Sequence, residues 1–120
     1  MRERLHPSLR WRTEVPIPID GDLRAWDAEI TGKQPDPWRA RIEAETRIAD
    51  GQALERRLAL KLRDDPRGHL ILLVSDTRAN RAALRSLGDG VTELLRLRTR
   101  EVLAALGNGL DPGGSGIAVM

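Results

Sequence analysis

Between Arg41 and Lys61 the chain gathers the side chains best able to do chemistry, two carboxylates followed by two cations. From Arg41 to Ile48 the side chains alternate, so Arg41, Glu43, Glu45 and Arg47 share one face of a strand while Ile42, Ala44, Thr46 and Ile48 share the other. Asp50 to Asp64 then reads as a helix, with Asp50 as N-cap and Pro66 just past the end. At about 100° per residue, Ala53, Leu54, Leu58, Leu60 and Leu62 form one broad arc, and Arg57 and Lys61 fall inside it. A cation in an apolar stripe needs a partner, because an unpaired buried charge is costly. Glu43 and Glu45 are the nearest candidates. The four side chains thus support either a structural ion-pair network or a reactive polar site.

The elements that must position them follow from the rest of the pattern. Residues 1–13 are basic and irregular and read as a linker or truncated edge, leaving 14–120 as a single α/β domain. Pro16 and Pro18 make Glu14 to Asp20 an extended edge segment. Leu23 to Ile30 alternates as a strand, with Asp27 on its less apolar face, and Gly32, Pro35 and Pro37 connect it to the strand Arg39 to Ile48. After the helix, Leu70 to Val74 is a short apolar run, the pattern of a strand buried on both faces. A helix from Arg78 to Leu87 follows. Thr92 to Arg98 is a helix or short strand, Thr99 to Leu106 a helix capped at Thr99, and Ile117 to Val119 a final edge strand. Strand, helix and strand in this order imply a parallel pair joined by a crossover helix, hence an α/β fold with a mixed central sheet flanked by helices.

Composition narrows the function classes. The chain has 120 residues, 40% of them hydrophobic and 32% charged, which describes a globular domain. Three Trp stand without any Phe or Tyr, so a stacked-aromatic platform for single-stranded nucleic acid is hard to build. The net charge of +2 is weak evidence for nucleic acid binding, although Arg greatly outnumbers Lys. The absence of Cys excludes disulfides, thiolate metal sites and a Cys nucleophile. No apolar run is long enough to span a bilayer, and a cytoplasmic setting is expected. His6 and His69 are isolated, and Gly113 to Gly116 follows no strand, so neither a His metal site nor a phosphate loop is read here. Asp76, at the end of the apolar strand, suits either an effector pocket or the cap of the next helix, while Asn80 and Arg81 in its first turn are candidates for phosphate contact.

Asp27 on a hairpin, Glu43 and Glu45 on the next strand, then a helix with Arg57 and Lys61 and a buried strand form an order that resembles the PD-(D/E)XK, or restriction-endonuclease-like, fold. The family's first core helix has no evident counterpart here. The resemblance implies that Asp27 and Glu43 or Glu45 hold Mg²⁺ and that a Lys activates water. The Lys expected two residues after the acid is replaced by Glu45 or Arg47, and Lys61 on the following helix is its candidate substitute. A second resemblance covers nearly the whole chain. Glu14-Val-Pro-Ile-Pro, Gly21-Asp-Leu-Arg-Ala-Trp-Asp27, Glu43-Ala-Glu-Thr-Arg47, Arg56-Arg-Leu-Ala-Leu-Lys61 and Leu73-Val-Ser-Asp-Thr-Arg78 are similar to the C-terminal region of actinobacterial helix-turn-helix regulators of the XRE type. This implies a transcriptional regulator module whose contact with DNA runs through a separate helix-turn-helix domain, with a homodimer as one arrangement.

The expectation is therefore a catalytically degenerate regulatory or effector module. The alternatives are a Mg²⁺-dependent nuclease and a small-molecule effector domain. The candidate site comprises Lys61 and Glu45 as catalytic groups, Asp27, Glu43 and Glu45 as metal ligands, and Arg57 and Arg81 as phosphate or ion-pair support.

Overall fold

The computed structural model describes residues 1–120, and its sheet is laid down in chain order. Strands β1 (Arg10–Pro16), β2 (Ala25–Gly32) and β3 (Trp38–Glu45) form an antiparallel meander. Helix α1 (Gly51–Asp64) crosses over to β4 (His69–Val74), which lies parallel to β3. Helices α2 (Arg78–Arg85), α3 (Asp89–Leu94) and α4 (Thr99–Gly107) lead to β5 (Gly116–Val119), parallel to β4 and at the sheet edge. The expected α/β class with a mixed sheet is what forms.

Each face of the sheet carries its own core. On one, Leu54 and Leu58 of α1 pack with Trp26, Leu70, Leu72, Val74 and Leu95. On the other, Val102 and Leu106 of α4 pack with Ile30, Ala40, Ile42 and Ile71, and Leu5, Leu9 and Trp11 close the margin. The apolar run of β4 alternates between the two cores, which is why all of its inward positions are apolar. Trp26 and Trp38 are both core residues, and they occupy opposite faces of the sheet. The reason lies in β2: Trp26 joins the α1 side while Ala28 and Ile30 lie on the α4 side, so alternation slips at Asp27. Opposite this slip in β1, Glu14 takes a positive φ of 51°.

Several boundaries differ from expectation. The edge strand starts at Arg10, within the stretch read as linker or edge, because backbone pairing from Arg10↔Thr31 to Pro16↔Ala25 orders it. Strand β3 stops at Glu45 and not Ile48. The buried Asn80 side chain donates to Thr46 O (2.9 Å) and Ser75 O (3.0 Å) and accepts from Ile48 N (2.9 Å), so this backbone is held by a side chain instead of a neighbouring strand. Asp50 caps α1 as expected, accepting from the backbone N–H of Gln52 and Ala53. Thr99 does not cap α4; its hydroxyl accepts from Val119 N at 2.9 Å and ties the helix to β5.

Candidate functional site

The α1 face of β3 carries charge because α1 supplies matching charge to it. Lys61 sits on the inward arc of α1, and its Nζ donates to Glu43 Oε1 at 2.8 Å and to Ala25 O at 2.7 Å. Both side chains are removed from solvent, Glu43 to 3% and Lys61 to 9% of full exposure. Arg57, one turn earlier, reaches Glu43 Oε2 at 3.7 Å and pairs with Glu45. The Glu43 and Glu45 partners expected from spacing are therefore the ones found.

Burial pushes the Glu43 carboxyl above its ordinary value, the Lys61 hydrogen bond and charge pull it back, and the neighbouring Asp27 charge raises it further. Asp27 is therefore close enough to be felt. Its Oδ2, however, accepts from Ala44 N at 2.8 Å, filling the backbone position that the slip in β2 leaves without a strand partner.

The network continues through residues that spacing did not point to. The Trp26 ring faces two cations, with Arg41 Cζ 4.6 Å and Lys61 Nζ 5.3 Å from its centroid. Its Nε1 donates to Asp65 Oδ2 at 2.9 Å, and the same carboxylate meets Arg41 at 3.2 Å and Arg67 at 2.9 Å. Burial would raise the Asp65 carboxyl, but the Arg67 and Trp26 hydrogen bonds and the Arg41 charge outweigh it and hold Asp65 below the usual range. Arg41 is itself 1% exposed. Its parity with Glu43 on β3 signals the shared face, but nothing local signals Asp65, 39 residues from Trp26.

The other candidates lie apart from this set. Arg81 pairs with Asp76 at 2.6 Å in an exposed bridge. Asp76 does not cap α2; Thr77 does, its Oγ1 accepting from Asn80 N at 3.1 Å. Asn80 is buried beneath the turn, not turned out to meet phosphate.

No group of three or more His, Asp or Glu side chains converges as a metal-binding set. Asp27 Oδ2 accepts from Ala44 N, Glu43 Oε1 accepts from Lys61, and Glu45 Oε1 pairs with Arg57, so one oxygen of each carboxylate meets a donor of the chain itself. Hard oxygen donors of this kind are the ligands Mg²⁺ takes. Compared with protein-family models, curated proteins and solved structures, the chain matches none.

Proposed function

We propose that this is a catalytically silent regulatory or effector module of PD-(D/E)XK-like architecture, belonging to a DNA-associated transcriptional regulator. Supporting the architecture is the order of a strand meander, a crossover helix and a parallel strand, with strands in sequence across the sheet. The regulator setting rests on the resemblance to XRE-type C-terminal regions, in which DNA contact belongs to a separate helix-turn-helix domain.

The observation that carries the silent reading is the buried pairing of Lys61 with Glu43. Two of the three N–H donors of the ammonium are taken, one by the carboxylate at 2.8 Å and one by a backbone carbonyl at 2.7 Å, which leaves a single donor for water. Asp27 replaces a missing strand hydrogen bond, which is a folding task. The family's catalytic positions have in this reading become a strut between sheet and helix.

The test is cleavage of supercoiled plasmid and of single-stranded DNA in Mg²⁺ and Mn²⁺, with Lys61→Ala alongside and folding checked by circular dichroism. No cleavage by folded wild type is expected. Cleavage that disappears in a folded Lys61→Ala variant would replace this reading with the nuclease alternative.

A further inference from the structure

At the end of the sheet where β3 and β4 begin, the chain shapes an open cavity of about 570 Å³ that meets the Lys61 network through Arg67. Arg10 from β1, Lys33 after β2, Arg39 from β3 and Arg67 before β4 line it, together with Thr31, and no carboxylate does. We infer that this cavity binds a compact phosphate-bearing ligand.

Four cations brought to one concavity repel one another and need compensation. Two have part of it: Arg39 lies 3.6 Å from Glu29, and Arg67 lies 2.9 Å from Asp65. Both carboxylates are shared, Glu29 with Arg12 at 3.9 Å and Asp65 with Arg41 at 3.2 Å. Arg10 and Lys33 have no carboxylate within ion-pairing distance. Two uncompensated positive charges match a phosphate group, which carries roughly −1.5 to −2 near neutral pH.

Shape and wall point the same way. The volume lies within the roughly 300 to 1,000 Å³ of small-ligand sites, and a concave site suits a compact anion better than the outward rail of a duplex. Guanidinium forks bind oxyanions with two parallel donors. The wall is fixed: Gly68 holds a φ of 75°, and an added Cβ would meet Arg39 O at 2.6 Å. The Trp38 ring closes the wall, packed so tightly on Gly32 that an added Cβ there would meet it at 2.6 Å.

Calorimetric titration of the full chain with pyrophosphate, at ionic strength matched with chloride, tests this inference. Wild type should bind, and Arg10→Ala/Lys33→Ala should weaken binding by about tenfold or more. The variant should keep its melting temperature, since neither side chain holds an ion pair. Absence of pyrophosphate binding, or binding unchanged in the double variant, would overturn the assignment. So would a DNA duplex that binds through Arg10 and Lys33 without being displaced by pyrophosphate. The outcome is independent of the cleavage assay, because a silent module and a nuclease alike could carry this cavity.

Discussion

Individual residues here are defined by what their polar atoms meet. Asn80 shows this best, because its first-turn position on a helix suggests a solvated or phosphate-facing side chain, yet it is 1% exposed. Its amide bonds Thr46 O, Ser75 O and Ile48 N, joining the turn after β3 to the turn after β4. Asn80→Ala should therefore cost about 1 to 2 kcal/mol, since the part-buried Ile48 N–H and Thr46 O lose the amide that pairs them while Ser75 O keeps its bond from Thr77 N, measured by urea unfolding. A change below about 0.5 kcal/mol, the level of an ordinary surface substitution, would show that water replaces the amide without loss. Trp26 is the other residue whose role exceeds core filling. Its ring faces Arg41 and Lys61 while its N–H holds Asp65, so one side chain joins the β3 charges to the end of α1.

Elements were legible in the sequence where a single physical signal dominated. Helix α1 was readable from both ends, because Asp50 is a capping side chain and Leu54 and Leu58 repeat at helical spacing. The apolar run of β4 announced a strand covered on both faces, and the two cores cover it. The start of β1 was not readable, since Arg10, Arg12, Thr13 and Glu14 are all exposed and only Val15 is buried. An edge strand held by backbone pairing leaves little pattern in its side chains. The end of β3 was misread for the opposite reason: alternation of residue type runs on through Ile48, while the backbone is captured by Asn80. As for the site, the Glu43, Glu45, Arg57 and Lys61 pairing followed from periodicity within strand and helix. Asp65 and the cavity at the other end did not, because they assemble from segments far apart in sequence.

For the molecule as a whole, the acid limb of stability follows from its carboxylates. Hydrogen bonds from Arg24 lower the Asp22 carboxyl, those from Arg63 and Arg24 bring Asp64 to about 2, and Arg81 lowers Asp76. Asp65 is lowered too, against the effect of its burial. A carboxylate with a folded pKa below its unfolded value of 3.8 contributes stability that is present above that value. The contribution is lost as pH falls through the folded pKa. Glu43, raised by burial, works in the opposite sense: its contribution is present below 4.5 and lost as pH rises through its folded value. Five lowered groups, Glu3 beside the N-terminal ammonium among them, against one raised predict a urea midpoint that falls between about pH 4 and pH 2. A midpoint constant over that window would contradict the assignment of these pairs.

Lys61 and Glu43 join helix α1 to the sheet. The direct measurement is a double-mutant cycle on urea stability with Glu43→Gln, Lys61→Met and the pair together. Glu43→Gln leaves the buried Lys61 charge without its counter-charge, and Lys61→Met leaves the Glu43 carboxylate with only Arg57 at 3.7 Å, so each should cost about 2 to 4 kcal/mol. Removing both should cost much less than the sum, giving a coupling of more than about 1 kcal/mol. Single changes that are nearly neutral and simply add would show that the pair carries no structural load, and the silent-strut reading would fall.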